Sequence, residues 1–571
     1  MTRSQLPFVA FDGRELAGRE RAMLIEAVVD DHMVLPDTFS LRFILDIDET
    51  YERLGVKIGG KVLIKSAELG ESPDSNLIEG QITSIEAIYE EGAQYIVVRG
   101  YDQSHRLHAG RKTRSFNNQT DSDIVEKIAR EAGITVSQVD RSDTVHDHIG
   151  QVNMTDWEFL RARAREIGFT VAVRDGELTF LRGGAAPGRI ELTVGQELVT
   201  FRPRVTGAQQ VKEVEARGWD YKTKKKVTHT APADTESVSL DTSGWQPVPL
   251  ATKVGAPKYL TCDRPIATAG EARIVAEAAA AEIASSFAEA EGTAIGNPGL
   301  TTGSLVTVVG GGPFDGDWKV SHTRHRFDQD GYYTDFEVAG WQERSVLGLT
   351  SFGASAEGAR PVYGVVVGLV TNSNDPEGLG RVKLEFPWLS DDFETHWARV
   401  CFPGAGPERG MFLVPEVGDE VLVVFDHGDV RMPYVLGGLY NGRDAPPATG
   451  YCEGGDGRDG KIKVRTWKST KGHEITMSDK DSEDRIVITT KNNEYSITIS
   501  KADDQIEVKS KGKIVLDGPG GIEFKGGTGG VKVSGTSIEL SADSNIELKG
   551  ATAKLEGSGT AEIKGGVVKI N

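Results

Sequence analysis

The sequence predicts a mainly β protein with some α in its N-terminal part, ending in a β-helix that three copies wind together. Three observations predict it. Apolar-polar-apolar triplets recur every seven to nine residues near the C-terminus, five short strands lie between turn residues in 361–447, and strands mix with a few capped helices in 1–345. The 571-residue length fits several domains of roughly 100–200 residues each.

The C-terminal repeat is the most informative element. From Lys501 to Asn571 there are ten acidic residues and ten lysines, no arginine, no histidine and one aromatic, Phe524, so the excess behind the net charge of −20 lies before Lys501. The repeat includes Ile506-Glu507-Val508, Ile514-Val515-Leu516, Ile522-Glu523-Phe524, Val531-Lys532-Val533, Ile538-Glu539-Leu540, Ile546-Glu547-Leu548 and Val568-Lys569-Ile570. Alternation at period two marks strands with one buried face, and the intervening Gly, Ser, Asp and Asn supply turns. Eight residues give one strand of roughly 16 Å plus a turn, too little to travel round a closed coil. If three chains share one axis, each repeat buries its apolar side chains against two neighbours and no sheet edge stays open. The predicted needle is 486–571, about 50 Å long at ~4.8 Å per repeat. Its core is Ile506, Val508, Ile514, Leu516, Ile522, Phe524, Val531, Val533, Ile538, Leu540, Ile546 and Leu548. Its polar exterior would lose hydration in a bilayer, so no stable membrane insertion is expected.

Before the needle, Tyr363–Val370, Arg381–Phe386, Trp397–Val400, Glu420–Phe425 and Tyr434–Leu439 read as five strands of an OB-type β-barrel over 361–447. A linker over 346–360 precedes it, and a neck over 448–485 follows. The barrel carries thirteen acidic against six basic residues. That balance, like the net charge of the whole chain, argues against nucleic acid as a partner.

Residues 1–345 combine strands such as Ser40–Leu45, Gly60–Ile64 and Tyr95–Arg99 with helices. Thr155-Asp-Trp-Glu158 is a capping box, a second helix runs from about Asp123 to Ala132 with Gly133 behind it, and the Ala-rich stretch Ala272–Ala290 reads as the longest helix. The first thirty residues lack the apolar run of a secretory signal, and no stretch approaches the roughly eighteen apolar residues of a membrane span. Cys262, Cys401 and Cys452 are odd in number and far apart, which speaks for a reducing compartment of synthesis and for packing roles.

Signals for catalysis are weak. His105 and His108, and His146 and His148, have spacings a metal could use but no accompanying ligand set, and read as solvated or structural. Gly310-Gly-Gly-Pro313 lacks the Lys-Ser/Thr ending of a phosphate loop and reads as a turn. Asp479 and Asp481 lack the spacing of a calcium loop. No catalytic residue, metal or cofactor is assigned.

The ordered motifs Asp375-Pro-Glu-Gly-Leu-Gly-Arg381, Phe386-Pro387-Trp388, Trp397–Val400, Arg409–Phe425 (with Gly418 and Asp419), His427–Asp429 and Pro433–Asn441 resemble the OB-type domain of VgrG-like spikes and phage baseplate spikes. Gly380, Arg381, Phe386, Pro387, Trp388, Gly418 and Asp419 carry the motif. Gly472–Ile475 resembles the entry to that family's triple-stranded β-helix. Val98–Asp102, His105–His108, Thr120–Ile124 and Asp156–Leu160 are similar to the phage late-control D family, the hub half of the same spike.

The resemblance implies a homotrimer with a hub of two barrel-like subdomains per chain (1–345), matching a sixfold inner tube to a threefold needle. It implies an Hcp-like inner-tube partner at the hub, baseplate contacts, possible effector cargo, and a PAAR-like tip protein bound at Val568, Ile570 and Asn571. The chain would be made in the cytoplasm, assembled into a contractile particle and delivered into or through a target envelope. The family's iron-binding H-x-H apex has no counterpart, since the last histidine is His473, and no toxin-like insertion follows the barrel. The expected function is therefore mechanical and non-enzymatic. A polysaccharide-cleaving tailspike is the alternative, but the short repeat offers no groove and its carboxylates alternate with lysine. A secreted adhesin is disfavoured by the missing signal.

Overall fold

The computed structural model describes residues 5–33, 35–44, 53–68, 75–90, 92–183, 188–255, 258–341, 362–390, 393–448, 450–453 and 460–570. The chain separates into two compact units, Met1–Asp444 and Ala445–Asn571. It is mainly β with a few helices. The expected linker over 346–360 lies outside the described residues.

In the first unit, an eleven-stranded sheet runs through residues 5–338, a part termed the hub purely as a label. At its centre Leu24–His32 pairs on one side with Thr38–Ile44 and on the other with His322–Asp328. The strands alternate as period two requires: Phe39, Leu41 and Phe43 are buried while their neighbours are not. One core gathers around Phe39, Leu41, Phe43, Ile64 and Val98, a second around Phe287, Val306, Trp318 and Phe336. Between the two halves, Ala27–His32 is laddered to His322–Phe327, so the seam joins residues far apart in sequence.

The helices start where the caps place them. Thr120 and Asp123 form a reciprocal capping box at Asp121–Ala132, which ends at Gly133 in a left-handed conformation (φ 67°). Thr155 and Glu158 do the same for Asp156–Glu166. The Ala-rich helix is Ala269–Ser285, and the expected extension to Ala290 is wrong: Ala288–Ile295 is a strand between Leu198–Val205 and Gly331–Val338. Small residues serve packing there, since a Cβ on Gly292 would come within 2.4 Å of the Phe336 ring.

The five expected barrel strands form one sheet, in the order Lys383–Glu385, Val365–Asn372, Glu420–Phe425, Pro433–Gly438, Arg399–Val400. Val370, Leu384, Phe386, Phe393, Val421, Val423 and Val435 fill its core. The cysteines are not packing residues: Cys262, Cys401 and Cys452 are all free and exposed.

In the second unit, Val464–Lys468, Glu474–Ser478, Arg485–Thr489, Tyr495–Ser500 and Gln505–Ser510 form an antiparallel meander. The ladder thus begins before the expected needle boundary at 486. From 511 to 570 no strand pairing is found among the described residues; the backbone hydrogen bonds there are those of local turns, such as Gly521 N–H to Gly518 O (2.8 Å), and one from Lys511 N–H to Glu494 O (3.0 Å) where the segment leaves the meander.

Candidate assembly surfaces

The barrel motif is tied together by Arg381. Its guanidinium is bidentate on Asp375, 3.0 Å from Nε and 2.6 Å from Nη2, and the same carboxylate accepts the backbone N–H groups of Glu377 (3.0 Å), Leu379 (2.8 Å) and Arg381 (3.2 Å). Gly378 and Gly380 sit at positive φ inside this loop, which side chains rarely adopt. The hydrogen bond from Arg381 holds the Asp375 carboxyl well below the usual carboxylate range, against the opposing effect of burial. Both side chains are almost fully buried. The Arg381 Nη1 also donates to the Tyr221 hydroxyl (3.2 Å), and Glu377 pairs with Lys222 (2.9 Å). The loop therefore fastens the barrel to the turn of the hub hairpin formed by Glu213–Asp220 and Lys225–Pro232, as well as shaping a turn of its own.

The other motif residues serve the barrel itself. Phe386 is fully buried against Phe425 and Phe393; Pro387 is exposed in the following turn; Trp388 is half-exposed, its Nε1 donating to the Val367 carbonyl (2.8 Å). Gly418 N–H donates to Val370 O (2.8 Å) and Val370 N–H to Asp419 O (3.0 Å), locking the turn into Glu420–Phe425.

A second fastening was not read from the sequence. Arg431 is bidentate on Asp429, Nε to Oδ1 (3.0 Å) and Nη2 to Oδ2 (2.7 Å), and donates to Glu166 (3.2 Å) at the end of the hub helix Asp156–Glu166. Glu166 also pairs with Arg163, which reaches Asp121 (2.7 Å), and Asp121 in turn meets His146 (2.9 Å). Burial pushes Glu166 up, but Arg163 and Arg431 outweigh it and bring its carboxyl down to about 2. Arg163 and His146 likewise overcome burial and hold Asp121 well below the carboxylate range. The only sequence signal was an arginine two residues after the His427–Asp429 motif in an otherwise acidic barrel.

A third contact is apolar. His148, on the hub strand Val145–Met154, packs edge-on against Phe393 of the barrel (5.5 Å, 85°), and Gly150 leaves room for the same ring. Burial lowers the His148 imidazole to about 4, so it sits there neutral.

The other histidines flagged by spacing have structural places. His105 Nδ1 donates to the Asp102 carbonyl (2.7 Å), and His108 stacks on Trp157 (5.3 Å). Among the described residues no cluster of three or more His, Cys, Asp or Glu is arranged to hold a metal. Gly310–Pro313 turns between the antiparallel strands Leu305–Val309 and Gly316–Lys319, and Asp479 pairs with Arg465 (2.6 Å). No helix among the described residues is long and apolar enough to cross a membrane.

The tail presents the opposite surface. Its predicted core residues are uncovered in one chain: Ile506 is 73% exposed, Phe524 68%, Leu540 70% and Leu548 81%. Val508, Ile514, Leu516, Ile522, Val531, Val533, Ile538 and Ile546 are exposed as well, as are Val568 and Ile570; Asn571 lies outside the described residues. The partners of these triplets on the other strand face are ion pairs two residues apart, among them Lys509–Glu507 (2.8 Å), Lys525–Glu523 (3.1 Å) and Lys549–Glu547 (2.6 Å). Soluble monomers rarely expose large contiguous apolar surface, and such surface commonly marks an interaction site.

Residues 366–440 match the family described as the type VI secretion system/phage-baseplate injector OB domain, and residues 67–329 match the family described as the Alg8 N-terminal domain. The chain is 32% identical over 123 residues to the type VI secretion system spike protein VgrG2a of Pseudomonas aeruginosa, covering 21% of this chain and 14% of that protein. It is 34% identical over 91 residues to the spike protein VgrG3 of Vibrio cholerae, covering 15% and 9%. The matches thus span a small part of these relatives' length. Among solved structures, the lidded Francisella PdpA-VgrG complex aligns with a TM-score of 0.51 at 10% identity, covering 89% of this chain and 81% of the other. Its lidless form aligns at 0.50 and 9% identity, covering 89% and 99%. At these identities the structural likeness concerns the fold.

Proposed function

We propose that this chain, a VgrG-like baseplate spike protein of a contractile injection system, acts as one third of a threefold spike whose tail forms a needle only when three copies wind together. One observation carries the reading: large apolar side chains recur about every eight residues and stay exposed through a tail that, among the described residues, has no strand ladder of its own beyond Ser510. Two further copies would cover that line and complete the ladder, with Glu and Lys left facing water.

In this reading the hub docks on an Hcp-like inner tube and on baseplate proteins, and the three barrels pass force from hub to needle. The Arg381 and Arg431 fastenings suit that task, since they join barrel to hub within one chain. A PAAR-like tip protein would cap Val568, Ile570 and Asn571, and effector proteins would travel with the spike. The work is mechanical and needs no catalytic group or cofactor. The protein is made in the cytoplasm and leaves it in the particle.

Electron microscopy of contractile particles from the producing cells, with this chain epitope-tagged in the hub, tests the reading. Threefold density carrying the tag at the end of the inner tube is the expected result. Particles that assemble without the chain, or that carry it as a single copy, would overturn it.

A further inference from the structure

We propose that the cleft between the hub hairpin and the barrel is a docking site for an acidic, partly apolar peptide segment of a partner protein. The hairpin is Glu213–Asp220 and Lys225–Pro232. The cleft has a volume of about 280 Å³ and is walled by Arg217, Trp219, Tyr221, Arg264, His427 and Tyr434. That is small beside the roughly 300–1,000 Å³ of cofactor and drug pockets, and suits one or two side chains of a longer ligand.

Its chemistry is aromatic and cationic. Trp219 is 54% exposed, an uncommon cost for so large a ring unless something covers it. Beside the cleft rather than in its wall, the exposed Arg399 guanidinium lies over the rings of two wall residues, Tyr221 (4.9 Å) and Tyr434 (5.5 Å), a stacked arrangement that leaves the N–H edge of a guanidinium available to a carboxylate. Trp219 stands opposite Lys226 in the hairpin register, and Lys224, Lys225 and Lys226 are all exposed at the hairpin end. They form a run of positive charge in a chain of net charge −20. The carboxylate in the cleft wall, Asp426, has His427 beside it (3.7 Å). His427 is itself held at φ 50°, ψ 20°, a left-handed conformation that costs free energy in a non-glycine residue and is common where a side chain is placed for binding.

Charge complementarity and exposed rings together select the ligand: carboxylates for Arg399 and the lysines, an apolar side chain for Trp219. A nucleic acid would offer phosphates, but a polyanion longer than the cleft would run onto an acidic body. The walls belong to a single chain, so the proposal does not depend on the threefold reading.

The test is fluorescence anisotropy on the full-length protein, with a labelled octapeptide of alternating Glu and Leu and its Lys-Leu counterpart as probes. The Glu-Leu peptide is expected to bind, more weakly as salt rises, and about tenfold more tightly than the Lys-Leu peptide. Trp219→Ala and Arg399→Gln are each expected to weaken it about tenfold with an unchanged melting temperature. Should Arg399→Gln fail to fold, the exposed pair Lys225→Ala and Lys226→Ala is expected to reduce binding and flatten its salt dependence. Equal binding of the two peptides, no binding at millimolar concentration, tighter binding of a single-stranded oligonucleotide, or a photo-crosslinker at position 219 that captures only other copies of this chain would each overturn the proposal.

Discussion

The barrel and the tail solve the same problem, hiding alternate apolar residues of short strands, in opposite ways. In the barrel, Val421 and Val423 of Glu420–Phe425 are fully buried because strands on both sides and Phe386 beneath come from the same chain. In the tail, Ile538 and Leu540 have the same alternation and are 55% and 70% exposed. Local pattern is equal in the two regions; what differs is the distance the chain can travel before its next strand. Turns and loops of varied length let the barrel strands close on one another, whereas a repeat of about eight residues returns the chain too soon. On the proposed reading, the tail's core comes from other copies.

The largest effect is expected from Leu540→Asp. In a threefold needle this buries three carboxylates about one axis, each costing several kcal/mol unless neutralised. Assembly should fail in sedimentation velocity while the melting transition of the first unit persists. A stable assembled particle from this variant would break the contrast between the two regions.

Phe386→Ala should do the reverse. Removing a fully buried ring typically costs about 3–5 kcal/mol, so calorimetry should show the barrel transition lowered and the association state kept. Arg431→Gln comes next: it leaves Glu166 and Asp429 without their shared cation, and because the three side chains are only partly buried the loss should be smaller than that of Phe386→Ala, about 1–3 kcal/mol. Hydrogen exchange should then rise along Asp156–Glu166 and Pro433–Gly438 together.

Smaller effects follow from pH. Burial alone would lower His322, but the carboxylates of Asp30 (3.1 Å) and Glu337 (3.6 Å) raise it to about 9. Its contribution to the hub seam is full below the unfolded value of about 6.5 and is lost as pH rises through 9. His148 acts with the opposite sign: lowered to about 4 by burial, it favours the docked barrel above about 6.5 and ceases to do so as pH falls toward 4. Melting temperature against pH should fall on both sides. His322→Gln should flatten the alkaline limb and His148→Gln the acid one. The smallest effect is expected from Lys525→Ala, which removes one exposed pair with Glu523 and should leave the melting temperature unchanged within error.

What the sequence made legible follows from range. The five barrel strands and the strands Arg485–Thr489, Tyr495–Ser500 and Gln505–Ser510 are written in alternation over a few residues, and the helix starts in capping boxes, so both are legible directly. The hub seam could not, because nothing local to Ala27–His32 announces a partner at His322–Phe327. The Ala-rich run misled because alanine suits a helix and also a tightly packed strand, and the Phe336 ring over Gly292 decided between them. The Arg381 motif reads as turns, but its hydrogen bond to Tyr221, like the link from Arg431 to Glu166, joins segments distant in sequence and has no local pattern to reveal it. The cysteines were misplaced because composition alone carries no burial information.

Sedimentation equilibrium of the purified full-length chain at micromolar concentration tests the central claim most directly. A single species at three times the 61.6 kDa chain mass is the predicted result. A stable, soluble monomer with its tail protected from proteolysis would contradict it.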